Sequence, residues 1–101
     1  MQVTGFTSKV LSTLGSKSDP YGAFQVPIYS NGAYDFATAE DMERAFRGEV
    51  AAHMYSRSTN PTVENFELRV KAVTNANAVL AVSSGLAAIT TTFLTLCDTG
   101  D

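Results

Sequence analysis

Ala78-Val79-Leu80-Ala81-Val82, then Ser83-Ser84-Gly85, then Leu86 to about Cys97, is the stretch on which the reading of this chain turns. Five apolar residues, two of them β-branched, are too few for a helix of ordinary length and read as a fully buried strand. The three that follow are small, and Gly85 admits a close approach of the backbone to another group. Leu86, Ile89, Phe93 and Leu96 then recur at intervals of three, four and three, one face of a helix. The predicted order is strand, tight turn, helix. A helix start carries unpaired N–H groups and a partial positive charge, which suits an anion, phosphate above all. The turn matches neither Gly-x-Gly-x-x-Gly nor Gly-x-x-x-x-Gly-Lys-Ser/Thr. An ordinary strand-to-helix turn with Ser84 as N-cap satisfies the same pattern, so both readings stay open on these residues alone.

Length and composition bound what surrounds that stretch. A chain of 101 residues has room for one domain of ordinary size, and at 45% hydrophobic and 17% charged it needs a core or a partner. A net charge of −3 leaves no electrostatic footprint for nucleic acid or an anionic membrane. The single cysteine, Cys97, has no internal disulfide partner and reads as a small buried hydrophobe at a helix end. No apolar run approaches the roughly 18 residues of a membrane span, and the N-terminus lacks the apolar core of a signal peptide. The expectation is a soluble cytoplasmic protein.

Upstream, residues 1–18 are polar, carry Gly5 and Gly15, and read as a flexible arm. Asp19-Pro20-Tyr21-Gly22 is a turn, and Phe24 to Tyr29 is extended because Pro27 breaks helix and restricts Val26 before it. Phe24, Tyr29, Tyr34 and Phe36 crowd a region of little regular structure, which predicts packing against another domain or subunit. A first helix begins at Thr38, paired in capping-box fashion with Asp41, and stops at Gly48. A second begins at Asn60-Pro61, asparagine at the N-cap and proline in the first turn, and ends at a left-handed Asn75. Val63, Phe66, Val70 and Val73 form its predicted buried face, while Glu67 and Lys71 pair on the outside. Glu64 and Glu67 read as a solvated face rather than an acid–base pair. His53 reads as structural, with nothing local to make it a metal ligand.

In the loop before that helix Tyr55 and Arg57 sit two apart, so in an extended segment both side chains point the same way. A phenol donor beside a guanidinium that gives two parallel hydrogen bonds suits a phosphate. A surface arginine beside a packed tyrosine is the plainer reading of that pair taken alone.

The combination Tyr55-Ser56-Arg57-Ser58-Thr59-Asn60-Pro61-Thr62, Phe66-Glu67, Ser84-Gly85-Leu86-Ala87-Ala88-Ile89 and Gly100-Asp101 closely resembles the cystathionine γ-synthase-like family of pyridoxal-phosphate enzymes. Asp19 to Ala23 and Pro27-Ile28-Tyr29 match that family's arm, so the resemblance runs from about residue 19 to the end. It implies the α/β, aspartate-aminotransferase-like fold type I. Residues 1–37 would be an extended N-terminal arm contacting a neighbouring subunit, and residues 38–101 the start of the cofactor-binding large domain, with its first strand and helices. It implies pyridoxal 5'-phosphate as cofactor, with Gly85 and Leu86 giving backbone N–H groups to its phosphate and Tyr55 and Arg57 reaching the phosphate held by a neighbouring subunit. The implied assembly is a homo-oligomer, a dimer of dimers, acting on a small sulfur amino-acid substrate such as an O-acylhomoserine. The implied reaction is γ-replacement by sulfide or a thiol, as in O-acetylhomoserine sulfhydrylases. Alternatives are a methionine γ-lyase or cystathionine synthase or lyase activity, or a non-catalytic piece that acts only through subunit contacts.

This sequence departs from the family pattern in three places. Leu86 stands where methionine is frequent, and a backbone contact tolerates that change. Val73-Thr74-Asn75-Ala76 stands where many members have Leu-Glu-Gly-Gly. The family's Schiff-base lysine is expected beyond residue 101, since Lys9, Lys17 and Lys71 lie in no matching motif, so no catalytic residue and no metal site is expected here.

Overall fold

A computed structural model describes residues 5–12 and 19–101. Four helices follow one another: α1 Phe6–Ser12, α2 Ala39–Phe46, α3 Pro61–Thr74 and α4 Gly85–Leu96. The helix starts are where local chemistry puts them. The side chains of Thr38, Asn60 and Ser84, all with extended backbone, accept from the N–H groups of Asp41, Thr62 and Ala87. The ends are equally local. Past α2 the Gly48 N–H donates to the Ala45 carbonyl at 3.0 Å and the Glu49 N–H to the Arg44 carbonyl at 3.0 Å, a Schellman closure. That closure turns on Gly48 at φ 71°. Asn75 terminates α3 at φ 55°, ψ 28°, the left-handed stop expected of it.

In four places the structure differs from expectation. The arm is not featureless: Phe6–Ser12 forms α1, which packs on α3, with Arg69 Nη1 donating to the Val10 carbonyl at 2.9 Å. The rest of the stretch expected to be flexible, residues 1–4 and 13–18, lies outside the described residues. Residues 78–82 form no strand, and among the described residues the sole β-type pairing is an isolated antiparallel bridge between Ala33 and Tyr55. A strand exists only through a neighbour's ladder, and among the described residues no second strand is present to supply one. The Ala81 N–H instead donates to Glu67 Oε1 at 2.7 Å, which takes Glu67 away from the predicted pairing with Lys71. Cys97, expected to be buried, is exposed at the end of α4.

The exposed Cys97 reflects a wider fact. Among the described residues Ala45 is the buried hydrophobic residue and Asn60, at 6% exposure, the buried polar one. Phe66 on the predicted buried face of α3 is 57% exposed. Among the described residues helix α4 packs on no other helix, and Leu86 and Leu96 are 73% and 77% exposed. The accessible surface of 8266 Å² exceeds the roughly 5,500 Å² of a compact monomer of this mass. The helices carry apolar faces for which these residues alone provide no cover.

Candidate functional site

The site is best built from the α4 end. Ser84 closes the turn with its hydroxyl on the Ala87 N–H at 3.0 Å, and its carbonyl takes the Ala88 N–H at 3.1 Å. The N–H groups of Gly85 and Leu86 are left with no acceptor among the described residues. Two adjacent donors at the positive end of a helix are the elements of an anion cradle. A Cβ built on Gly85 meets no other atom of the described residues within 4 Å, so the chain leaves open space beside this position. Gly85 is not among the glycines with positive φ, so backbone strain plays no part in why glycine stands there.

Tyr55 and Arg57 come together, though by a different geometry from the one expected. The segment is not extended. The N–H groups of Ser58 and Thr59 donate to the Tyr55 carbonyl at 2.9 and 3.1 Å, closing a tight turn. The turn carries the Arg57 guanidinium carbon to 5.0 Å from the centroid of the Tyr55 ring. This cation–π contact leaves the guanidinium's fork of donors unused by any side chain of the described residues. Both side chains are exposed. No hydrogen bond, ion pair or ring contact joins this pair to Gly85 or Leu86 among the described residues.

His53 is held among its neighbours. Its Nδ1 lies 3.0 Å from Thr59 Oγ1, its Nε2 is 3.8 Å from Glu64 Oε2, and its ring is 5.4 Å from that of Tyr34. Among the described residues no group of acidic, histidine or cysteine side chains could hold a metal ion.

What sequence reasoning missed is the hydrogen-bonded layer beneath the Tyr55–Arg57 turn. Asn60 Nδ2 donates to the Tyr29 carbonyl and to Ser56 Oγ, each at 3.0 Å, while Ser56 Oγ donates to the Asn31 carbonyl. Thr62 Oγ1 accepts from the Tyr29 N–H at 2.9 Å and donates to the Pro27 carbonyl at 3.3 Å. The signal available was Asn60 itself: a helix cap needs only an acceptor, and the amide's two donors needed partners elsewhere.

The donor set suits a phosphate ester: two backbone N–H groups at a helix start, a phenol and a planar guanidinium. Comparison with known proteins supplies the family. A family model described as Cys/Met metabolism PLP-dependent enzyme matches residues 8–101. An O-succinylhomoserine sulfhydrylase of Pseudomonas aeruginosa is 39% identical over 87 residues, 86% of this chain and 22% of that protein. An L-methionine gamma-lyase of Pseudomonas putida is 36% identical over 100 residues, 99% of this chain and 25% of that protein. An O-acetyl-L-homoserine sulfhydrylase of Corynebacterium glutamicum is 36% identical over 97 residues, 96% of this chain and 22% of that protein. The chain thus spans about a quarter of the length of the curated relatives it matches.

Proposed function

The chain belongs to the Cys/Met metabolism PLP-dependent enzyme family, of fold type I and with pyridoxal phosphate as cofactor, and from that premise we propose that it forms the N-terminal part of an O-acetylhomoserine sulfhydrylase-like enzyme. The observation that carries this reading is the pair of free donors at Gly85 and Leu86, on a chain that also presents a phenol–guanidinium pair. Gly85 and Leu86 orient the cofactor phosphate through their N–H groups. Tyr55 and Arg57 supply a hydroxyl and a bidentate cation to the same kind of group, on the phosphate held by a neighbouring subunit. When bound, the cofactor supplies an electron sink for negative charge at the substrate's α- and β-carbons. The arm upstream of α2 contacts that neighbour, a reading supported by the exposure of Tyr21, Phe24 and Ile28. The assembly is a homo-oligomer, a dimer of dimers. No helix of the described residues is long and apolar enough to cross a membrane, and we place the enzyme in the cytoplasm.

The substrate reading has a direct test. The full-length enzyme, given O-acetylhomoserine and sulfide, is expected to release acetate and form homocysteine faster than it splits L-methionine into methanethiol, ammonia and 2-oxobutyrate. The reverse ranking makes it a γ-lyase, the reading favoured by the likeness to the Pseudomonas putida enzyme.

The cradle has its own test. A Cβ at Gly85 meets no other atom of the described residues within 4 Å and the position needs no positive φ, so Gly85→Val is expected to act mainly on the ligand. It is expected to weaken pyridoxal phosphate binding at least about tenfold, or ~1.4 kcal/mol. Leu86→Met keeps the N–H and nearly the same volume, and is expected to stay within about threefold of the parent. Equal affinities for the two variants in apoenzyme titrations would rule out a backbone cradle.

A further inference from the structure

The layer beneath the Tyr55–Arg57 turn does more than cap a helix. Asn60 uses its whole amide: Oδ1 accepts from the Thr62 N–H at 2.8 Å, and Nδ2 donates to the Tyr29 carbonyl and to Ser56 Oγ. Ser56 passes the link to the Asn31 carbonyl, and its own N–H donates to the Gly32 carbonyl at 2.8 Å. The Tyr34 N–H donates to the Met54 carbonyl at 3.1 Å, on the far side of the Ala33–Tyr55 bridge. Both ends of the turn that carries Arg57 are therefore tied to residues 27–34. The Tyr55 end is held by the bridge and by Ser56, the other end by Asn60 and Thr62. The tie spans up to 35 positions of sequence.

We propose that Asn60 is a positioning residue, whose buried amide clamps residues 27–34 onto the Tyr55–Arg57 turn and so holds those two side chains for the cofactor's phosphate. The proposal rests on the reading of Tyr55 and Arg57 as phosphate ligands. Its physical content lies in the amide's donors. Serine, threonine or aspartate at this place would cap α3 equally well, since a cap needs an acceptor alone. The clamp requires both N–H groups of the amide, one for the Tyr29 carbonyl and one for Ser56 Oγ. Asn60→Asp keeps the acceptor for Thr62 and sets a carboxylate oxygen against the Tyr29 carbonyl, where two acceptors face each other. An exposed phenol–guanidinium pair on a loosened turn samples many geometries, and a bidentate contact then loses its preorganisation.

The experiment compares pyridoxal phosphate with pyridoxal, which lacks the phosphate, in titrations of full-length apoenzyme carrying Asn60→Asp, Ser56→Ala or Arg57→Ala. Arg57→Ala is expected to weaken pyridoxal phosphate binding at least tenfold and to leave pyridoxal binding within twofold. Asn60→Asp is expected to show the same selective loss, at least fivefold, with faster amide exchange at residues 29–34 and 55–59. Ser56→Ala should lose two- to threefold in the same selective way, and it decides the matter if Asn60→Asp does not fold. Equal weakening of both ligands by Asn60→Asp, or no weakening, overturns the positioning role while a selective Arg57→Ala effect leaves the phosphate reading standing. If Arg57→Ala leaves the preference for the phosphorylated form intact, the phosphate reading fails and the positioning role falls with it.

Discussion

Expressed by itself, the 101-residue chain is expected to show no turnover of O-acetylhomoserine, to bind pyridoxal phosphate weakly, and to self-associate or remain partly unfolded. The argument starts from the surface. Leu86, Ile89, Phe93, Leu94 and Leu96 on α4 are each more than half exposed. Leaving five such side chains in water forgoes on the order of 5–10 kcal/mol, comparable with the whole stability of a domain. The radius of gyration, 16.7 Å, is well above the roughly 13 Å of a compact chain of this length. Chemistry adds a second reason. The resemblance implies a lysine amine that holds the cofactor aldehyde and then moves protons, and no lysine here lies in the context it requires. Light scattering, circular dichroism and an activity assay on residues 1–101 check the first part. Borohydride reduction in the presence of cofactor, followed by peptide mapping, checks the second. A soluble monomer with turnover, or one lysine labelled selectively and stoichiometrically, would place the chemistry inside these residues and overturn the expectation.

The second large effect is a rescue. On the proposed reading, Arg57→Ala in the full-length enzyme removes a charge-assisted, bidentate contact and is expected to weaken cofactor binding on the order of 10- to 100-fold. If Arg57 serves the neighbouring subunit, mixing this variant with one lacking the cofactor-bearing lysine restores a competent site. In each hybrid dimer, one site combines an intact lysine with an intact Arg57 from across the interface, and the other site has neither. Half the dimers in an equal, random mixture are hybrid, so about one quarter of the parent activity should return. If Arg57 serves its own subunit, every hybrid site lacks one of the two groups and nothing returns. Helix α3 and the segment after it do not decide the matter, because among the described residues no contact joins Arg57 to Gly85.

The sequence by itself determined the elements whose bonds close within a few residues. Thr38, Asn60 and Ser84 cap helices through N–H groups two or three positions on, and Gly48 and Asn75 end them through their own backbone angles. Such bonds form wherever the rest of the chain goes, so composition and spacing are enough to place them. The family was legible for a related reason: Tyr55 to Thr62 and Ser84 to Ile89 are contiguous motifs, readable without knowing where they lie in space.

Only the tertiary structure decided the contacts that span 14 residues or more. Asn60 was legible as a cap but not as a clamp, because one acceptor of its amide, the Tyr29 carbonyl, sits 31 residues earlier in the chain. Glu67, spaced to meet Lys71, turned to the Ala81 N–H, since an unpaired backbone donor is a stronger claim than an exposed ion pair. Tyr55 and Arg57 were expected to align along an extended segment, and a tight turn stacked them instead. The run Ala78–Val82 has the composition of a strand and no ladder in this structure. Apolar, β-branched character says that a segment suits a sheet; whether it becomes a strand depends on a partner that its own residues cannot specify.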